Sequence, residues 1–373
     1  MPAARGGDAQ KTGPTLEQVA ARAGVGRGTA SRVINGSPRV SERTRAAVQA
    51  AVAELGYVPN RAARALAAGS MDAIALVVPE QENRLFAEPY FSEILRGVSA
   101  ELADTDKQLL LTLIRDERSR DRFTQYAAAH RVDGVLLVSV HADDPLPDLL
   151  RDVGMPAVLS GRRSSAEHVP YVDSDNLLGA QLAVEHLIGR GRRKVATITG
   201  PLDMYAARCR LAGYHEALTA AGRTGPEPGA RPAVEAAHRP ASAPGGRLVA
   251  EADFTEEGGH RAMRGLLERD PDVDAVFCAS DVMAAGARLA LRESGREVPH
   301  DVALVGFDDS AVARHMDPPL TTVKQPIEEM GRAMVRMLLG LMGSEPDPRG
   351  APAPGAGQPQ LVLPTELIRR GSS

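Results

Sequence analysis

The side chains best suited to chemistry in the first 70 residues are donors. Arg27, Thr29, Ser31 and Arg32 fall within six positions. A guanidinium can give two parallel hydrogen bonds to a guanine edge or a phosphate, and hydroxyls can hold phosphate oxygens, so this set suits a nucleic-acid surface. The surrounding elements must then present one helix face to solvent. Thr15 followed by Gln18 is a capping box that opens a helix, Gly24 breaks it after two turns, and a second helix restarts at about Arg27. Two helices across a glycine-containing turn form a helix-turn-helix. A third helix is expected behind Ser41, turning Ala46, Ala47, Ala50, Val52 and Leu55 toward the other two and stopping at Gly56.

Tyr57, Val58, Pro59 and Asn60 end one element and open another, because proline disfavours helix just before it and Asn60 is a good cap for 61–68. So short a helix is marginal in water until something packs on it. Charge divides the chain near the same place. Residues 1–70 carry nine Arg and one Lys against four acids, a net of +6, and the whole chain stands at −4, leaving −10 on the remainder. A basic head on an acidic body fits one end meeting phosphate and the other not.

The order and spacing of TLEQVA at 15–20, AGV at 23–25, SRVINGSPRVS at 31–41, TR at 44–45 and ELGYVPNRAARAL at 54–66 resemble the LacI/GalR family of bacterial transcription regulators. The resemblance implies that the second helix enters the major groove. Arg27 and Arg32 would then read bases, beside Gly28, while Thr29, Ser31 and Asn35 hold phosphates and Thr15 joins the DNA-facing set. It implies also that two hinge helices, one per subunit, lie in the minor groove with Asn60, Ala63 and Leu66 facing DNA, Leu66 as an apolar wedge between base steps. Two departures stand out. Gly26 replaces the family's usual capping serine, and Gly28 sits inside the recognition helix, where glycine costs about 0.5 to 1 kcal/mol relative to alanine.

About three hundred further residues exceed one ordinary core, so two subdomains are expected. Apolar runs at 73–78, 108–114, 134–140 and 157–159 read as strands, with helices between them at 91–103, 119–130 and 146–152. After Asp173, Ser174 and Asp175 the pattern restarts: helix to 190, strand 195–199, helix 208–221, strand 247–250, helix 255–269, strand 275–278, helix 282–293, strand 302–307. Such alternation means parallel sheets covered on both faces. The expected fold is therefore a small all-α helix-turn-helix head plus an α/β body of two parallel-sheet subdomains, which resembles the family's periplasmic-binding-protein-like body. The expected division is a tail at 1–14, the head at 15–58, a hinge at 59–70 and an effector and dimerisation domain at 71–373. Within that domain one subdomain takes about 71–161 plus 307–327, and the other about 174–303 plus 328–373. Stretches 225–246 and 343–357, rich in Pro, Gly and Ala, read as surface loops.

Ligands of open parallel sheets bind outside the strands' carboxyl ends, here between two lobes. By positional resemblance Arg210 grips the ligand with a fork, Asp308 accepts sugar hydroxyls, Phe254 stacks on a pyranose face, and Tyr90 and Ser280 lie at neighbouring strand ends; Asp281 reads as a helix cap. Where many relatives place an acid after the fourth strand this chain has Ser160, Gly161 and Arg162, so a donor replaces an acceptor and Gly161 leaves room. A roomier pocket with Arg162 suits a di- or oligosaccharide. The GVGRGT turn, the FAEPYF loop and the ARHMDPPLTTVKQPIEEMGRAM segment resemble the cellobiose- and cello-oligosaccharide-responsive repressors of the family. The expected function is a repressor of carbohydrate-utilisation genes, released from a palindromic operator by such a sugar. The alternative within the family is another effector: a different sugar, a nucleoside or a purine co-repressor.

An enzyme would need a nucleophile with its base, or a metal set. The nine histidines are scattered without Cys/His ligand spacing, and GxSxG, HExxH and GxxxxGK[ST] do not occur. No catalytic residue, cofactor or metal is therefore expected. Residues 1–14 lack a signal pattern, no apolar run is long enough to span a membrane, and Cys209 and Cys278 lie in regular apolar segments. These point to a cytoplasmic protein with reduced thiols. With no leucine heptads after Arg370, a two-fold homodimer on double-stranded DNA is the expected assembly.

Overall fold

A computed structural model of the chain describes residues 14–34, 37, 39–57, 71–80, 88–223, 246–343 and 358–373. The expectations for Asn35, for the hinge at 60–68 with Asn60, Ala63 and Leu66, and for the interior of the two Pro/Gly/Ala-rich loops lie outside the described residues. The chain divides into two compact units, Met1–Met71 and Asp72–Ser373.

The first unit holds α1 (Leu16–Ala23), α2 (Arg27–Ile34) and α3 (Glu42–Leu55). Thr15 and Gln18 form the capping box in both directions, and Gly24 closes α1 in the left-handed conformation at φ 66°. Ser41 caps α3 through the Thr44 amide and Gly56 ends it at φ 60°. Val19, Ala20, Ala30, Val33, Val48 and Ala51 make the core, with Val52 and Leu55 packed on its margin. The inward stripe of α3 is therefore Val48, Ala51, Val52 and Leu55, at helical spacing, whereas Ala46 and Ala50 are exposed. An alanine is compatible with either face of a helix; Val48 fixes the face, being the larger apolar group to bury.

The second unit is built on two six-stranded sheets. The first contains β1 (Ala73–Val78), β2 (Gln108–Leu113), β3 (Gly134–Leu137), β4 (Ala157–Ser160), β5 (Tyr171–Ser174) and β11 (Gln360–Leu363), in the order β11-β5-β4-β3-β1-β2. The second contains β6 (Val195–Thr199), β7 (Val249–Glu251), β8 (Ala275–Cys278), β9 (Ala303–Asp308), β10 (Thr321–Lys324) and β12 (Glu366–Ile368), in the order β12-β10-β9-β8-β6-β7. Every described pairing is parallel except β12 with β10. Central strands such as β3 and β8 are buried along their whole length, as a sheet covered on both faces requires.

Helices α4 (Pro89–Leu102), α5 (Glu117–Ala128), α6 (Leu146–Asp152) and α12 (Ile327–Gly343) clothe the first sheet. Helices α7 (Asn176–Gly189), α8 (Tyr205–Ala220), α9 (Glu256–Arg269) and α10 (Asp281–Glu293) clothe the second, and α11 (Ala311–His315) follows β9. Helix pairs cross at glycines. A Cβ on Gly97 of α4 would stand 2.0 Å from the Glu328 carbonyl oxygen, and one on Gly286 of α10 would stand 1.9 Å from that of Glu256.

The exchange between lobes differs from the expected one. The expected division puts about 307–327 in the first subdomain and 328–373 in the second, yet β9 and β10 pair within the second sheet, with Thr321 opposite Val305. Helix α12 then packs Met330, Met334 and Leu338 into the first lobe's core, β11 joins β5, and only β12 returns. Main-chain pairing of the short TTVK segment with β9, together with the apolar stripe of α12, decides the assignment. Neither could be placed by counting alternations.

Candidate functional site

In the first unit, α2 turns Ala30 and Val33 inward, which leaves Arg27, Gly28 and Arg32 exposed, with Thr29 and Ser31 half-buried on the flanks. Arg27 Nε lies 3.0 Å from Glu17 Oε1 on α1, an exposed pair that gives little stability. Arg32 folds back along its own helix, donating from Nε to the Gly28 carbonyl at 3.2 Å and from Nη2 to Thr29 Oγ1 at 3.3 Å. These bonds are long and solvent-facing, so a stronger acceptor can take the guanidinium from them. The carbonyl of Gly26 accepts from Thr29 and Ala30, so α2 starts without a side-chain cap at that residue.

In the second unit, the carboxyl ends of the parallel strands surround a cavity that is partly open to solvent. All six expected cleft residues, Tyr90, Arg162, Arg210, Phe254, Ser280 and Asp308, line it.

Arg210 projects from α8. Its Nε donates to Asn176 Oδ1 at 2.8 Å and its Nη1 to the Ala279 carbonyl at 2.5 Å, and the guanidinium carbon sits 3.8 Å from the centre of the Phe307 ring. Burial holds its pKa below the usual arginine value. Asp308 ends β9 at φ 117° and accepts from Gln325 Nε2 at 2.6 Å. Burial pushes its carboxyl up to about 6, against the pull of Arg210 and Gln325. Phe254 is held at φ 61° over Gly200, where a Cβ would lie 2.0 Å from the ring, so only glycine lets the ring lie so low. Positive φ at three lining residues that are not glycine, Phe254, Asp308 and Ser139 (φ 57°), is strain of the kind that gathers at binding sites.

The Tyr90 hydroxyl shares a 2.7 Å hydrogen bond with Ser160 Oγ, and burial raises its pKa to about 12, so it serves as a neutral donor or acceptor. Ser280 caps α10 through the Met283 amide at 3.2 Å. Asp281 is not the cap. It is wholly buried, accepting from Thr322 Oγ1 at 2.5 Å and from the Ser310 amide at 2.8 Å, and it ties the end of β9 to β10.

Arg162 corrects the expected loss of an acceptor. Its Nε donates to Asp173 Oδ2 at 3.1 Å and its Nη1 to Tyr171 Oη at 3.0 Å, with the guanidinium about 5 Å from the Tyr171 and Tyr205 ring centres. The acid that β4 lacks is supplied by β5. Burial raises the Asp173 pKa while Arg162 and the Ser174 amide oppose it. Gly161 does leave room, its virtual Cβ standing 4.0 Å from Asp173 at a φ of +78°.

Asp173, Asn176, Tyr205 and Gln325 also line the cavity and were missed in the sequence. Asn176 Nδ2 donates to Asp173 Oδ1 at 3.0 Å, which completes a chain from Arg162 through Asp173 and Asn176 to Arg210. Gln325 accepts from Ser174 Oγ at 2.5 Å while donating to Asp308. Ser174 and Gln325 stand where the chain crosses between lobes. The available signal was polar residues, DSDN and KQP, at the ends of short apolar runs.

Comparison with known proteins places these features in context. Residues 15–60 match the family described as bacterial regulatory proteins, lacI family, and residues 184–373 match the periplasmic binding protein-like domain. The chain is 49% identical to the HTH-type transcriptional regulator CelR of Thermobifida fusca over 96% of its own length and 98% of that protein. It is 33% identical to the ribose operon repressor of Escherichia coli over 96% and 99%. Among solved structures, a transcriptional regulator CelR-cellobiose complex superposes with a TM-score of 0.71 at 47% identity, covering 96% of this chain and 100% of that one. A lac repressor dimer bound to operator and the anti-inducer ONPF gives 0.79 at 28% identity over 97% and 99%.

Proposed function

We propose, from the premise that this chain belongs to the LacI family of bacterial regulatory proteins, that it is a sequence-specific repressor of carbohydrate-utilisation genes released from its operator by cellobiose or a related neutral oligosaccharide. The carrying observation is the convergence of Arg210, Asp308, Asn176 and the Phe254 face on one cleft between the lobes. A fork and a carboxylate grip neighbouring hydroxyls while an aromatic face covers the ring's C–H side. The set is arranged for binding: its acids are held in place by Arg162, Asn176 and Gln325.

On this reading the protein acts in the cytoplasm as a two-fold dimer on a near-palindromic operator. Arg27 and Arg32 read bases beside Gly28; Thr15, Thr29, Ser31 and Asn35 set the helix on the backbone; and a hinge with Asn60, Ala63 and Leu66 enters the minor groove. The head ends near residue 58 and the hinge near 70. Closing the cleft on sugar favours a lobe arrangement that separates the paired hinges. Titration calorimetry against cellobiose, other disaccharides and purines tests the effector, and gel shifts with and without it test the direction. Cellobiose binding that weakens the operator complex is expected. Tighter operator binding in cellobiose would put the chain in a co-repressed branch, and purine binding alone would overturn the sugar reading.

A further inference from the structure

One cluster bridges the lobes without any part in the reading above. His141 follows β3 in the first lobe, and its Nδ1 lies 2.6 Å from Asp203 Oδ2, in the loop ahead of α8 in the second lobe. Its Nε2 lies 3.3 Å from Glu80 Oε1, past β1, and Ser139 Oγ donates to that same oxygen at 2.6 Å. The two loops are also joined by the Ala142 amide donating to the Asp203 carbonyl at 3.0 Å. Further along, Arg208 Nη2 donates to the Arg163 carbonyl at 2.7 Å. Ser139, Val140, Met204 and Tyr205, immediate chain neighbours of the bonded groups, line the cavity. The cluster is therefore one rim of the cleft.

We propose that His141 is a positioning residue for the effector: as an imidazolium between Glu80 and Asp203 it clamps one lobe onto the other over bound ligand. The proposal rests on the reading that the cleft binds a sugar. A neutral imidazole carries one N–H and can donate to one carboxylate; only the protonated ring donates to both. The charged groups facing the ring are Asp203 from the second lobe and Glu80 from the first, and Arg208 on α8 adds a positive charge near Asp203. In this structure these carboxylates hold the ring protonated up to about 10, with Asp203 the larger influence. Opening carries Asp203 away, and the proton is then held less firmly. A group whose pKa is raised in the closed state stabilises closure fully below the ordinary histidine value and loses that contribution as pH rises through the raised one. Sugar affinity should therefore fall from neutral pH toward about 10.

The test is cellobiose calorimetry on the full chain between about pH 6.5 and 9.5 for the wild type, His141→Asn, Asp203→Asn and the double variant. Each single change should weaken cellobiose about tenfold near pH 7, allowing for solvent screening of a partly exposed pair. The double should lose no more than either single, and all three should flatten the alkaline decline. Wild-type affinity and slope in the singles, or losses that add independently in the double, would overturn the proposal. Failure of the wild type to bind cellobiose would count against the effector reading alone. The clamp is then judged without sugar, by the distance between spin labels on cysteines replacing exposed Tyr126 of α5 and Glu257 of α9. A longer, broader distribution in Asp203→Asn supports it, and an unchanged one overturns it.

Discussion

The two units hold their functional side chains in opposite ways. On α2, Arg27 and Arg32 are exposed; Arg32 makes long bonds to its own helix and Arg27 a solvent-facing ion pair with Glu17. In the cleft, Arg210 and Asp173 are buried and held by bonds running through Asn176 that solvent does not reach. A surface that must meet a large, wet partner can leave its donors loose, because phosphate outcompetes a 3.2 Å bond to a carbonyl. A cavity that must recognise a small neutral ligand has few contacts to make and gains most from donors and acceptors already in place.

This contrast makes the cleft the more brittle region. Asp308→Ala removes the buried carboxylate that accepts from Gln325 and, on the proposed reading, from sugar hydroxyls, and a hydrogen bond to a charged group contributes about 1.5 to 3 kcal/mol. Cellobiose affinity should fall about ten- to 150-fold by calorimetry, while operator binding without sugar stays at full strength in gel shifts; an operator defect of similar size would erase the proposed separation of the units. The same carboxyl, raised to about 6, sets an acid limb: as pH drops through that value it takes up a proton and ceases to be a charged acceptor. Sugar affinity should decline between about pH 7 and 5, and Asp308→Asn should flatten that decline.

Scaffold changes come next. Gly286→Val drives a Cβ to within 1.9 Å of the Glu256 carbonyl oxygen, so α9 and α10 must separate. Overpacking of this kind costs about 1 to 3 kcal/mol. A drop in the second unit's thermal midpoint should register it, with the operator-binding head unaffected. In that head, Arg32→Ala should lose about 1 to 3 kcal/mol and relax preference at one guanine per half-site, whereas Thr29→Ala should weaken all sequences alike. Identical selectivity profiles for the two in binding-site selection would refute that division.

The smallest expected effect is of the opposite sign. Nothing lies within 4 Å of a Cβ built on Gly28, so Gly28→Ala should stabilise α2 by about 0.5 to 1 kcal/mol. Circular dichroism of the full chain would show it as increased helicity. A loss of stability would mean that the head is not limited by this glycine.

Legibility in the sequence followed periodicity and length. Strands β1, β6 and β8 and helix α6 match their expected bounds because each is a compact apolar or amphipathic run between polar breaks. Strand β5 was missed: YVDS is four residues with an acid inside, and its burial comes from Arg162 and Asn176, which no local pattern announces. The six cleft positions were found by resemblance, but Asp173 and Gln325 sit at lobe crossings whose course depended on the misassigned ends of the chain. The acceptor thought lost at 160–162 was recoverable only in three dimensions, where β5 lies beside β4.

That crossing pattern carries a consequence for how the molecule is made. The second lobe's β6 to β10 and their covering helices come from one continuous stretch, 176–324, with only the edge strand β12 arriving later. The first lobe begins earlier in the chain yet lacks α12 against Ile94 and Val98, and β11 beside β5, until residue 363 has been added. On a ribosome its apolar face must wait while the lobe synthesised after it can already consolidate. Completion thus runs in the reverse order of translation, and a chain stalled before 327 leaves its first-made half as the sticky one.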